Sequence, residues 1–191
     1  MVTTSAGTGL RTLREHPFEL LREIERRSRV ALTGGPGDDV SGEEWVGIGL
    51  RLGNERFVVA REEVREVLML PPALTRVPGA RSWVRGLANV RGHLLPVADL
   101  RGFLGAGAIT GERAARVLVA NSNEFPVGLV VDEVYGFRRF LQREHVSETP
   151  QTAIRADRYL DGAYRRGLEV WPVLRVEKLL QSREFQRAAE D

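Results

Sequence analysis

Gly86-Leu-Ala-Asn-Val-Arg-Gly-His-Leu-Leu-Pro-Val-Ala-Asp-Leu-Arg-Gly-Phe-Leu-Gly105 is the stretch on which the fold of this chain turns. It reads as strand, tight turn, strand and helical turn. Val84, Leu87 and Val90 supply apolar positions on the way in, and Gly92 follows Arg91 where the chain must reverse. Glycine accepts the positive φ that hairpin turns demand. Leu94, Leu95 and Val97 form a short buried run on the way back, interrupted by Pro96. A proline has no N–H for the ladder, so this return strand lies at an edge or carries a bulge. Asp99 then caps a helical turn through its side-chain oxygen. Leu100, Phe103 and Leu104 give that turn an apolar face, and Gly105 ends it.

The same grammar extends to both sides. From Trp45 the chain alternates: Trp45, Gly47, Gly49 and Arg51 face one way, and Val46, Ile48, Leu50 and Leu52 the other. Gly53-Asn54 turns it and Phe57-Val-Val-Ala60 returns, giving a hairpin with one buried face. Val64, Val67, Leu68 and Leu70 lead into Pro71-Pro72, which stop regular structure. After the central hairpin, residues 105–111 form a glycine-rich, mobile loop. Strands follow at Ala114–Ala120, Phe125–Val131 and Val134–Leu141, then a polar stretch over 142–160 without periodicity. Ala163–Val176 repeats strand–turn–strand, with Gly167 near the bend and Pro172 in the return. Val176, Leu179 and Leu180 start a closing helix whose end, from Arg187, frays.

Two echoes point to duplication. Phe57-Val-Val-Ala and Glu63-Val64 answer Phe125-Pro-Val-Gly and Glu133-Val134. Arg91-Gly92 and Pro96-Val97, followed by Leu100, Phe103 and Leu104, answer Arg166-Gly167 and Pro172-Val173, followed by Val176, Leu179 and Leu180. Short glycine-bounded strands at this spacing make an all-β chain of two small barrels.

Ahead of this domain, residues 1–16 are small and polar and read as disordered. Pro17 opens an amphipathic helix to residue 32, with Phe18, Leu20, Leu21 and Ile24 on one face and charges on the other. That stripe either packs on the domain behind it or docks a partner. Thr33-Gly-Gly-Pro-Gly-Asp-Asp39 is a linker; without a following Lys-Ser or Lys-Thr it is no phosphate loop. The boundaries are therefore 17–44 for helix and linker and 45–191 for the β domain.

The 191 residues include no cysteine, which removes disulfides, thiolate metal sites and a cysteine nucleophile. There is no signal-peptide pattern and no run long enough to span a bilayer, so a cytoplasmic chain is expected. The net charge is +2 despite 28 basic residues, all arginine except Lys178. Those arginines alternate with nearly as many acids, whereas a nucleic-acid surface requires an unbalanced basic stripe. His16, His93 and His145 are scattered, and none pairs with another at metal-ligand spacing. Adjacent acids such as Asp132-Glu133 point to opposite faces of a strand and form no acid/base dyad. No nucleophile, base and orienter converge, so the expectation is no enzyme and no cofactor.

The landmarks Trp83-Val-Arg-Gly-Leu-Ala-Asn-Val-Arg-Gly92, Leu95-Pro-Val-Ala-Asp-Leu-Arg101, Leu74-Thr-Arg-Val-Pro78 and Val176-Glu-Lys-Leu-Leu180 occur in order and resemble the CheW-like domain family. The resemblance implies two SH3-like five-stranded β-barrels flanked by an N-terminal and a C-terminal helix. It also implies a non-enzymatic adaptor coupling a methyl-accepting chemoreceptor's cytoplasmic tip to the regulatory domain of a CheA-type histidine kinase. Pro17-Phe-Glu-Leu-Leu-Arg22 and Glu44-Trp-Val-Gly-Ile-Gly49 are similar to the branch serving type IV pilus twitching motility, which implies a ChpA-like kinase and a PilJ-like receptor. The alternatives are a flagellar or other chemosensory pathway, or an SH3-like nucleic-acid binder. Neither nucleic acid nor direct membrane insertion is implied by the first reading, only association with membrane receptor arrays.

Carried over by motif, receptor contact falls on Val64, Glu66, Gly86 and Arg91. Arg91 at a hairpin tip presents a fork of donors to a carboxylate or carbonyl, Glu66 answers a basic group, and Val64 adds apolar contact. No kinase-facing residue is assigned; strands over Phe125–Val131 are the candidates. Arg175 departs from the family, which has an acid or small polar residue there.

Overall fold

The computed structural model describes residues 43–110 and 113–189. The helix of 17–32, the linker, His16 and the last two residues lie outside the described residues. Within them the strands are β1 (Glu44–Leu52), β2 (Glu55–Ala60), β3 (Val64–Met69), β4 (Val84–Val90), β5 (His93–Asp99), β6 (Arg116–Ala120), β7 (Gly128–Val131), β8 (Glu133–Leu141), β9 (His145–Val146), β10 (Leu160–Arg166) and β11 (Glu169–Leu174). Three short helices follow strands or end the chain: α1 (Leu100–Phe103), α2 (Val176–Leu180) and α3 (Arg183–Gln186).

The strands form two sheets, in the orders β8-β1-β2-β11-β10-β9 and β3-β6-β7-β5-β4. This is the all-β, two-barrel architecture, with two-residue β9 added to one barrel. Matching the sheets position by position equates β1-β2-β3 with β6-β7-β8, and β4-β5 with β10-β11. The duplicated halves are therefore interleaved. Each barrel takes its first hairpin from one half of the chain and its remaining strands from the other. Each borrowed hairpin is joined on one side by a parallel pair, Val97 meeting Gly128 across β5–β7 and Val173 meeting Val58 across β11–β2, and on the other side by an antiparallel one, β6 with β3 and β1 with β8.

The register corrects both sequence echoes. Val58 is the counterpart of Gly128, so Phe57 matches Val127 rather than Phe125. Leu87 faces Pro96 as Ala163 faces Pro172, which sets Arg91 opposite Gly167 in the repeat and moves Arg166 one residue earlier. The Val64–Val134 echo holds: each residue precedes a one-residue bulge, at Arg65 and Tyr135.

Three apolar cores follow from the alternation of strand side chains. Val97, Val117 and Val130 fill one barrel with Ala88, Ile109 and Ala115. Val58, Val173, Phe140, Tyr164 and Trp171 fill the other, with Trp45 packed against them. The alternate residues, among them Phe57, Val59, Leu118, Leu129 and Leu174, form a shared core joined by Leu100, Val176 and Leu179. The β1–β2 hairpin consequently buries both faces, not one. Gly47 and Gly49 are small because a Cβ there would press on Trp45 or Trp171.

Pro96 does not put β5 on an edge; β5 lies between β7 and β4. Its missing N–H is tolerated because β7 pairs only from Val97 onward, and the β4–β5 ladder carries a bulge next to it, between Val84 and Gly86. The 105–110 loop is held rather than free. Ile109 is buried and donates its N–H to Asp99 at 2.7 Å, and Arg101 binds the carbonyls of Gly107 and Ala108. Residues 142–160 contribute Ile154, Ala156 and Tyr159 to the shared core. The C-terminal segment does not fray at Arg187, since Arg81 donates to the Ala188 carbonyl at 2.8 Å.

Candidate functional site

The β4–β5 hairpin projects its turn from one barrel. Arg91 and Gly92 have φ of 51° and 85°. Two positive φ values between directly paired Val90 and His93 define a type I′ turn, whose twist matches the strands it joins. The Asn89 side chain accepts the Gly92 N–H at 2.9 Å and fixes the bend. Arg91 is the only non-glycine with positive φ among the described residues. A side chain in that region is strained, and such strain persists where the surroundings enforce it.

The Arg91 guanidinium reaches β3. Its Nη2 lies 2.7 Å from Glu66 Oε2 and its Nη1 donates to Oε1 at 3.4 Å. This two-pronged pair ties the hairpin tip to the opposite barrel edge. The Arg91 side chain is 74% exposed and Glu66 24%, so the pair adds at most about 1 kcal/mol. A charged fork thus stands exposed at the turn, held by Glu66 behind it. Exposed Val67 follows Glu66 along β3, and exposed Leu94 lies just beyond the turn on β5.

The other two sites expected from sequence lie beneath this surface. Val64 is 2% exposed and belongs to the shared core. Gly86 is buried in the β4 bulge with φ +133°, and a Cβ there would overlap the Thr75 carbonyl oxygen. That carbonyl accepts the Leu87 N–H at 2.8 Å. Arg91 and Glu66 thus meet at the surface, while Val64 and Gly86 set the strands that carry them. Glu66 faces Arg91 itself. The Phe125–Val131 candidates do not supply an open face: Val127 through Val131 are buried, with β7 held between β6 and β5.

Sequence reasoning missed a capping residue. Asp99 caps α1 in its own half, accepting Gly102 N–H at 2.9 Å. Arg175 occupies the corresponding position before α2 and cannot accept. Glu63 replaces the cap from the other half of the chain, accepting N–H groups of Val176 and Glu177 at 3.2 and 3.3 Å and Arg175 Nε at 3.1 Å. The departure at Arg175 is thereby explained. The only signal in sequence was an acid two residues before the bulge, Glu63, with no local use.

No group of three or more His, Asp or Glu among the described residues could hold a metal ion. His93 is solvent-facing on β5, as its strand position predicts. In the other barrel burial pushes the pKa of the Tyr164 hydroxyl up to about 12. No helix among the described residues is long and apolar enough to cross a membrane.

Comparison with known proteins bears on this geometry. Residues 47–184 match the family described as CheW-like domain. The chain is 37% identical over 169 residues to "Protein PilI" of Pseudomonas aeruginosa, covering 88% of this chain and 94% of that protein. It is 30% identical over 135 residues to "Chemotaxis protein CheW" of Klebsiella aerogenes, covering 70% and 80%. Among solved structures, the scaffolding protein TtCheW from Thermoanaerobacter tengcongensis superposes with a TM-score of 0.65 at 19% identity, covering 78% of this chain and all of that one.

Proposed function

The chain belongs to the CheW-like domain family, and from that premise we propose that it is a non-enzymatic adaptor. It couples the cytoplasmic tip of a methyl-accepting chemoreceptor to the regulatory domain of a CheA-type histidine kinase. The likeness to PilI along most of both chains supports a place in a Pil–Chp type system controlling twitching motility, with a ChpA-like kinase and a PilJ-like receptor. The working location is the cytoplasmic side of a receptor array.

The observation that carries the receptor-facing part is the Arg91 turn. An arginine holds a backbone conformation that glycine would occupy more cheaply, with its guanidinium exposed and braced by Glu66. Arg91 and Glu66 make the contact; buried Val64 and Gly86 act by fixing β3 and β4. Weak single contacts suffice where an array supplies multivalency.

The test is co-sedimentation of the purified chain with a receptor cytoplasmic fragment and with a kinase regulatory domain. Arg91→Ala should weaken receptor capture at least tenfold, leave kinase capture intact and leave the melting temperature within about 2 °C. Receptor capture unchanged in Arg91→Ala would remove this turn from the interface. Loss of twitching in a deletion strain, restored by the intact chain, tests the pathway.

A further inference from the structure

A second surface, at the far end of β4 from Arg91, is used by none of the roles above. Extended chain from Trp83 to Arg91 spans roughly 25 Å. There Trp83 stacks on Phe185 with ring centroids 5.1 Å apart, and Phe103 stands edge-on to both at 5.2 and 5.1 Å. Two clefts of about 360 and 450 Å³ flank Phe103 and share it and Glu184 as a dividing wall. Arg155 and Arg158 rim the first; Arg81, Arg183 and Arg187 rim the second. Against these five arginines stand two acids, Asp157 and Glu184. The clefts thus concentrate a charge of +3, when the whole chain carries +2. Arg158 is paired with Glu184 at 3.1 Å. Arg155 and Arg183 form no ion pair among the described residues.

The surface is also preformed. Ser182 caps α3, accepting the Phe185 N–H at 3.2 Å. Beyond α3, Arg81 donates backbone N–H to Ala188 at 2.8 Å and Nε to Ala189 at 3.2 Å. The chain end is strapped across the base of β4, and binding need not order it first.

We propose that this double cleft docks an acidic segment of a partner protein that also carries an aromatic or large apolar side chain. Guanidinium groups bind carboxylates through paired, directional hydrogen bonds. Arginine beside half-buried aromatic rings is the composition that interface anchors favour. The recessed aromatic wall takes a side chain, and the rim arginines take the carboxylates on either side of it. A nucleic-acid strand fits less well, because its uniform phosphates would pass Glu184 and Asp157 and then meet a surface of balanced charge. A flat anionic membrane cannot enter the two clefts.

The test uses the full chain and a fluorescein-labelled peptide of alternating Glu and Asp around one central Phe. Anisotropy should show saturable one-to-one binding, with a change in tryptophan emission as Trp83 is covered. Replacing the peptide's Phe by Ala, or its acids by Lys, should cost at least tenfold in affinity. The double variant Arg183→Glu, Arg187→Glu should cost at least tenfold as well, with an unchanged melting temperature. If that variant unfolds, Arg155→Glu, on the opposite cleft, gives the same reading. The proposal is overturned by no saturation at millimolar peptide, or by undiminished affinity in the double variant or, where that variant unfolds, in Arg155→Glu. It is also overturned if single-stranded DNA or phosphatidylserine vesicles displace the peptide at lower concentration.

Discussion

The hairpins β4–β5 and β10–β11 are one design built twice, and their arginines have opposite fates. Each runs from a bulge glycine, Gly86 or Gly162, to a strand proline, Pro96 or Pro172, over the same number of residues. In the first the turn residues are Arg91 and Gly92; in the second they are Gly167, at φ 59°, and Leu168. Arg166 therefore sits in the strand, opposite Glu169. Its guanidinium donates to both Glu144 oxygens at 2.9 and 2.8 Å and to the Arg139 carbonyl at 2.7 Å, and lies 5.2 Å over the Phe140 ring. A strand arginine reaches the 142–144 turn and, across the barrel, β8, and so closes the barrel. A turn arginine stands beyond both strands and has only Glu66. One residue of displacement separates a structural clasp from a presented charge.

If the two hairpins share one scaffold, their bulge glycines are equally indispensable. At Gly86 a Cβ would overlap the Thr75 carbonyl oxygen, and at Gly162 that of Val146. Neither obstacle is a flexible side chain. Gly86→Ala and Gly162→Ala should each cost about 3 kcal/mol or more in urea unfolding, the largest effects expected here. A mild loss at one and a severe loss at the other would break the equivalence.

The caps should differ in kind. Asp99 is fully buried and serves Gly102 N–H, Ile109 N–H and, at 3.4 Å, Arg85. Asp99→Ala strands all three and should cost about 3 kcal/mol. The Glu63 side chain keeps 11% of its surface exposed against 1% for Asp99, so Glu63→Ala should cost less, about 2 kcal/mol. Because Glu63 joins the two halves of the chain, its loss should also raise amide exchange in α2, whereas Asp99→Ala should act first on α1 and the 105–110 loop.

What the sequence revealed and what it hid follows from the range of the forces involved. Turn glycines and the Asp99 cap are local, and each is found where the residues place it; the second buried face of β1–β2 is not local, because it forms only against strands of the other half. The interleaving of the halves is not local: no single strand records which partner it pairs with, so the echoes looked like two separate units in tandem. The slip at Arg166 has the same cause. Arg-Gly occurs in both hairpins, but only the opposing strand's Pro172 fixes which residue turns. For the candidate site, Arg91 and Glu66 were readable as charged surface residues, whereas the burial of Val64 depends on Ala120, distant in the chain.

The clasp in the second hairpin should show in the pH dependence of stability. Its hydrogen bond with Arg166 holds the Glu144 carboxyl below the usual carboxylate range, against the opposing effect of burial. A carboxylate depressed in the folded state stabilises at pH above its ordinary value near ~4.3 and loses that contribution as pH falls toward its folded value. Glu144→Gln should therefore lower stability by about 1 kcal/mol at pH 7 and flatten the acid limb below pH ~4.5. Glu66→Gln, removing the more exposed partner pair, should change stability at pH 7 by less than about 0.5 kcal/mol.

The smallest change in stability belongs to the residue with the largest proposed role. Arg91 at φ 51° occupies a region where glycine is unstrained. Arg91→Gly makes the two turns alike at their first position, where Gly167 already sits at φ 59°. It removes the strain and loses only an exposed ion pair, so stability should stay level or rise by up to about 0.5 kcal/mol in urea unfolding. Receptor capture should fall at least tenfold in the same protein. A turn that becomes no less stable yet binds less well has an arginine kept for contact, not for folding. If Arg91→Gly instead destabilised the chain by more than about 1 kcal/mol, the Glu66 pair would be closing its barrel as Arg166 does, and the contrast between the hairpins would collapse.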